Sequence, residues 1–180
     1  MRNAAAGSAE RTAMKRKKAP DAIDLLDADH LLAHELFERY RELVRTKAAA
    51  PQRRALAEEI CMELTIHAKL EEELFYPAVR DALRDDDLVD ESEEQHGSAR
   101  EFIAQILTGS PDDELYDAKV AVLAGYVERH VREEREQVFN RLLASGLDLH
   151  ALATSITARR EELRTVAEAL REETLSNAAT

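Results

Sequence analysis

The stretch 56–78, LAEEICMELTIHAKLEEELFYPA, limits the possible folds more than any other. Leu56, Ile60, Leu64, Leu74 and Ala78 recur at the three-to-four spacing of a helix stripe facing a core. Where that stripe should carry two more apolar side chains it carries His67 and Glu71. Four residues apart, they sit one above the other on a single helix face. An imidazole and a carboxylate facing a core are costly unless something satisfies both. A metal ion does so, since imidazole nitrogen and carboxylate oxygen both ligate iron, manganese or zinc.

The neighbouring segments offer partners for that pair. A first helix is predicted from about Asp21 to Lys47, with Ile23, Leu26, His30, Ala33, Phe37, Tyr40 and Val44 on its seam. Pro51 opens the second helix, and Pro77 should kink it or end its regular part, although the following VRDAL can continue helically. A third follows the acidic link 84–87, burying Leu88, Ser92, His96, Ala99, Ile103 and Ile106, and Gly109-Ser110-Pro111 ends it. The fourth, from about Asp112 to Ser145, turns Val120, Leu123, Val127, His130, Glu134, Val138 and Leu142 inward before Gly146. A fifth, from about Asp148 to Glu173, carries Leu149, Leu152, Ile156, Leu163, Val166 and Leu170. Its seam lacks histidine and acid, so it reads as packing on the bundle or on a partner, and it permits a homodimer. The short links predict an all-α fold, an antiparallel up-down-up-down four-helix bundle with an additional C-terminal helix. The divisions are a disordered basic tail at 1–19, the bundle at 20–146 and the amphipathic helix at 147–175.

Composition agrees with helices, with 5 Gly, 4 Pro and no Trp. Six cationic residues of the first 19 against Glu10 give +5, which leaves −17 for the rest of a chain whose net charge is −12. That balance argues against nucleic acid as the main partner of the folded part. A single cysteine, Cys61, excludes an internal disulfide and suits a reducing compartment. No apolar run is long enough to span a membrane or to serve as a secretory signal, so a cytoplasmic protein is expected.

A lone histidine on a seam is more often a satisfied core residue than a ligand. Here four of the 6 histidines fall on the buried rows of four successive helices, and two have a glutamate one turn on. Without a metal, His30, His67, Glu71, His96, His130 and Glu134 would leave many buried groups unsatisfied. They are therefore the expected metal ligands. His34, one turn after His30, reads as a boundary residue or an additional ligand. Tyr126, one turn before His130, reads as core or as a hydrogen-bond donor to something held at the metal. Phe37, Phe75 and Tyr76 read as core. Glu72, Glu73 and Glu133 point outward by phase and read as solvated faces or as groups that support the ligands from outside.

The segments DHLLAHELFERY, HAKLEEELFYP, LVDESEEQH and HVREE, over about residues 24–145, resemble the hemerythrin-like family, the cation-binding HHE domains. The resemblance implies an antiparallel bundle around two non-haem irons, with Glu71 and Glu134 as bridges and the four histidines as terminal ligands. Oxygen-carrying members have a second histidine on the third helix where this chain has Arg100, and HxxxxD on the last helix where it has HxxxE. With one histidine fewer, the implied site suits exchange of peroxide, oxygen or nitric oxide better than reversible oxygen carriage. Catalase-, peroxidase- or oxidase-like activity is one implied role and a non-enzymatic sensor or iron-binding module the other, with zinc or manganese able to replace iron.

Overall fold

The structure is a computed structural model and describes the backbone of residues 19–178 and the side chains of residues 19–170. The basic segment expected at 1–19 lies almost wholly outside the described residues. The helices are α1 (Ala22–Arg45), α2 (Ala50–Leu70), α3 (Tyr76–Leu83), α4 (Asp86–Thr108), α5 (Tyr116–Glu133), α6 (Asn140–Leu142) and α7 (Leu149–Ala178). A widened π turn over Glu71–Phe75 joins α2 to α3, and a second over Glu134–Phe139 joins α5 to α6. Each helix–π–helix run forms one continuous rod. The four rods form the expected bundle, α1 packing on α2 and α5, and α4 on the same two. α7 lies against α1 and α2. No helix among the described residues is long and apolar enough to cross a membrane.

Local chemistry sets the boundaries. Asp21 and Asp24 close a reciprocal capping box at the start of α1, each carboxylate accepting from the other's backbone N–H at 3.0–3.1 Å. α1 stops at Arg45, two residues short of expectation, and Lys47 takes a left-handed φ of 54° in the turn that follows. α5 begins at Tyr116 rather than Asp112, because Asp113 accepts from the Ser110 N–H at 3.1 Å and holds the preceding residues in a turn. The fourth rod ends at Leu142, and Gly146 (φ 80°) supplies the left-handed residue of the link to α7. Asp148 caps α7 through the backbone N–H groups of His150 and Ala151.

Helix continues past Pro77 to Leu83, and the regular α-helical part of the second rod ends before it, at Leu70. The missing N–H of a proline matters less near the start of a helical segment, and Pro77 is the second residue of α3, directly after the π turn. The turn itself has a larger effect. One extra residue in the helical ladder advances the buried phase by one, so Phe75 and Val79 are buried where the unbroken period chose Leu74 and Ala78, both only half-buried. The second π turn likewise buries Val138 and Phe139 side by side.

The core is layered. At one end Leu36, Phe37, Leu56, Ile60, Ile103, Val120 and Leu123 pack together; at the other, Leu26, Phe75, Tyr76, Val79, Val138, Phe139 and Leu142. A third cluster joins Ile66 and Leu70 of α2 to Ala153 and Ile156 of α7. That second apolar stripe on α2 is what docks α7. The α7 stripe is packed from Leu149 to Leu163, and the further seam residues Val166 and Leu170 are more than half exposed. Cys61 is buried, and burial pushes its thiol up to about 12, which leaves it a packing residue rather than a reactive thiol.

The phase advance has a measurable consequence. Phe75→Ala should cost about 3–5 kcal/mol of unfolding free energy, and Leu74→Ala clearly less. Urea denaturation of the two variants checks this, and the reverse order would mean that the unbroken helical period is correct.

Candidate metal centre

Between the two apolar layers lies a polar one. His30 comes from α1, His67 from α2, Glu71 from the first π turn, His96 from α4, His130 from α5 and Glu134 from the second π turn. All six are buried, Glu71 completely and Glu134 at 2 % exposure. Ligand atoms of His30, His67, Glu71 and His130 all lie within 4.8 Å of one another. The other two reach the same group, His96 Nε2 at 3.2 Å from Glu71 Oε2 and Glu134 Oε2 at 3.4 Å from His30 Nε2.

The imidazoles meet in two pairs. His30 and His67 bring their Nε2 atoms to 3.1 Å, and His96 and His130 bring theirs to 3.4 Å. Glu71 Oε2 lies 3.2 Å from His67 Nε2 and 3.8 Å from His130 Nε2, so it touches both pairs. Nitrogens bound to one metal at about 2.0–2.1 Å stand about 2.8–3.4 Å apart for bond angles between square and tetrahedral. Both separations fall in that window.

A ring of polar groups turns these nitrogens inward. His67 Nδ1 donates to Asp29 Oδ2 at 3.3 Å, His96 Nδ1 to Glu72 Oε1 at 2.9 Å, and His130 Nδ1 to Gln95 Oε1 at 3.0 Å. His30 Nδ1 has a longer ionic contact with Asp27 at 3.8 Å. A proton committed to Nδ1 leaves the Nε2 lone pair free for a cation. The outer acids are held in turn: Asp29 by Arg160, Glu72 by Arg100, Asp27 by Arg135, while Glu133 accepts from Gln95 Nε2 at 2.6 Å.

The electrostatics show how much the site lacks without a cation. Burial alone would raise Glu71, but the surrounding histidines, His67 first, hold its pKa well below the usual range. Burial and then the adjacent charge of Glu71 push Glu134 well above it. Two carboxylates this close in a desolvated layer do not both ionise unaided. Burial likewise drives His30 well down, with His67 adding to it, whereas Glu71 and Asp29 overcome burial at His67 and hold it up at about 10. Glu71 Oε1 and both carboxylate oxygens of Glu134 are buried without a hydrogen-bond partner. Orphaned acceptors of this kind are the signature of a group that accepts cations. The donor set fits iron, manganese or zinc.

The other sequence candidates stand apart. The His34 side chain is 57 % exposed and reaches only Glu38, at 3.9 Å. Tyr126 is 37 % exposed, its ring tilted against Phe102. Both Arg100, which pairs with Glu72, and Tyr126 lie on the wall of a cavity of about 140 Å³ that reaches His30, His67, His96 and His130 past Leu32, Leu64, Ala99, Ile103 and Val127. Tyr76, read from its spacing as core, is fully buried but also belongs to the site: its hydroxyl donates to Glu71 Oε2 at 3.2 Å and lies 3.4 Å from His96 Nε2. Asp29, Gln95 and Arg160 were not legible as site residues, because their contacts join separate helices. Glu72 carried a weak signal, standing next to Glu71.

The profile of the hemerythrin HHE cation-binding domain matches residues 21–142. The chain belongs to the hemerythrin HHE cation-binding family. Among solved structures, this HHE domain is similar to a hemerythrin HHE cation-binding domain-containing protein from Mycobacterium kansasii. The two share a TM-score of 0.66 and 22% identity, over 82% of this chain and 90% of that one. No match was found among curated proteins. The matched region of the HHE domain contains all six inward-facing ligand candidates and stops before α7.

The raised pKa of Glu134 fixes the sign of a prediction. An acid raised in the folded state stabilises below its unfolded pKa and loses that contribution as pH climbs through the folded value. Metal-free Glu134→Gln should therefore be more stable than wild type at neutral pH, by on the order of 1 kcal/mol, with an advantage that shrinks toward pH 4. With metal bound the order should reverse. Thermal unfolding with and without metal across that pH range measures both signs.

Proposed function

We propose that this HHE domain holds two iron ions, bridged by Glu71 and Glu134 and capped by His30, His67, His96 and His130, and binds a small ligand beside them. The supporting observation is the arrangement of the imidazoles in two Nε2 pairs, at 3.1 and 3.4 Å, with Glu71 in contact with both. One ion per pair, with carboxylates between, is how bundle cores hold two irons. Bound there, the irons supply redox cycling and open coordination positions, and zinc or manganese fits the same donors.

The chain's own groups define what reaches that layer. The cavity combines apolar walls of Leu32, Ala33, Leu64, Ala99, Ile103 and Val127 with polar groups such as Gln95 and Arg100, and its volume admits oxygen, nitric oxide or peroxide. Arg100 pairs with Glu72 instead of ligating, so the third helix gives one nitrogen where an oxygen carrier gives two. That favours exchange of the small ligand over its reversible storage. Tyr76 places a buried hydroxyl against Glu71 and His96, where it holds the bridging carboxylate in place. The catalytic form of the proposal is disproportionation of peroxide to water and oxygen. A sensory or iron-holding role shares the same centre.

Protein purified with iron should contain about two irons per chain and show a near-ultraviolet charge-transfer band of a bridged pair, both lost in His67→Ala. Zero or one iron, or no such band, would count against the iron pair. Peroxide consumption then separates the two roles. Iron-loaded wild type should turn peroxide over and His67→Ala should not; a fully loaded protein without turnover favours the sensor.

A further inference from the structure

We infer that Arg160 of the C-terminal helix is a positioning residue of the metal centre, fixing His67 through Asp29 and coupling metal binding to the docking of α7. The inference rests on the metal-centre reading and extends it to an element outside the bundle.

Three arginines of α7 grip the elements that carry the site. Arg159 donates to Glu73 at 2.7 and 3.3 Å, and Arg164 to Glu63 at 2.7 Å. Arg160 engages both carboxylate oxygens of Asp29, one at 2.8 Å. Only this last acid touches a ligand candidate, accepting from His67 Nδ1 through the oxygen that Arg160 Nη2 holds. The side chains of Asp29 and Arg160 are 13 % and 21 % exposed, less than those of Arg159 (36 %) and Arg164 (39 %). A two-pronged, largely sheltered guanidinium–carboxylate contact fixes orientation as well as charge. An isolated exposed pair contributes little.

The geometry makes Arg160–Asp29–His67 a relay of fixed direction. Asp29 sits on α1, one residue before His30, and receives His67 from α2 and Arg160 from α7. One carboxylate thereby ties three helices together at the edge of the metal layer. All three other imidazoles have outer partners held within the four rods, among them Glu72 by Arg100 and Gln95 against Glu133. His30 has Asp27, held by Arg135. His67 alone is oriented from the additional helix. Outer groups of this kind set the angle and basicity of a metal-bound imidazole, and removing one costs about 10–100-fold in metal affinity. Coupling is reciprocal, so whatever α7 gives the centre, the bound metal gives back to α7.

The test compares Arg160→Gln with the double control Arg159→Gln/Arg164→Gln, which removes two contacts between α7 and the bundle yet leaves Asp29 and His67 untouched. Fe(II) affinity is measured anaerobically by competition with a chromophoric chelator, and the ligand-field spectrum of the Co(II)-loaded protein reports geometry. Arg160→Gln should lose about 10-fold or more in affinity and change the Co(II) spectrum, while the double control should keep both close to wild type. Arg160→Lys, which restores charge but not the fork, should fall between. Backbone amide exchange over residues 149–164 should slow on metal loading in wild type and respond less in Arg160→Gln. Equal affinity and spectrum in Arg160→Gln and wild type, or an equal loss in the double control, would overturn the inference with the metal centre intact. Wild type that binds neither ion would overturn both. Should Arg160→Gln not fold, wild-type exchange decides, and α7 amides indifferent to metal would sink the coupling.

Discussion

Two carboxylates share a desolvated layer at the middle of this bundle, and most of the surrounding structure follows from accommodating them. Glu71 and Glu134 are almost wholly removed from water, and one carboxylate oxygen of Glu71 and both of Glu134 have no hydrogen-bond donor from the protein. Hydrophobic packing above and below supplies the stability that lets such a layer exist. The imidazoles meet the acids from all four rods with their Nε2 atoms inward. Such a layer is unfavourable while empty of cations and favourable once they occupy it, which is why metal affinity and folding are linked in sites of this kind.

The two glutamates share one more feature. Each begins a π turn, Glu71–Phe75 in one rod and Glu134–Phe139 in the other. A widened turn lets a helix insert a residue and still keep its axis, and such turns gather at functional sites. Below Glu71 this places Phe75 and Tyr76 together in the core; below Glu134 it places Val138 and Phe139 there. The Phe139 ring stacks 6.0 Å from the ring of His30, and the Tyr76 hydroxyl meets Glu71. The departure from ideal helix thus closes the floor of the polar layer in both halves of the bundle.

Around that layer the charges are ordered outward from imidazole to acid to arginine. Asp29, Glu72 and Asp27 each face a histidine on one side and an arginine on the other. An acid held on both sides cannot rotate away from its imidazole, and the arginine balances its charge. Burial would raise Asp29, but His67 and Arg160 together keep its pKa below the ordinary value. α7 enters this scheme through Arg160, having docked through a second apolar stripe, Ile66 and Leu70, on the helix that carries His67.

Periodicity by itself determined the number and order of the rods, and it placed His30, His67, Glu71, His96, His130 and Glu134 on buried faces. These are local properties: a residue's phase on its helix depends only on its neighbours in sequence. Antiparallel packing from short links then required those faces to converge. What the tertiary structure alone decided is everything that joins residues distant in the chain. Asp29, Gln95 and Arg160 look like ordinary surface polar residues until their helices are assembled, and Tyr76 looks like an ordinary core aromatic. The π turns also escaped the pattern, because a straight helix of constant period chooses Leu74 over Phe75. Only the geometry of the filled core, with two acids to hold at one level, reverses that choice.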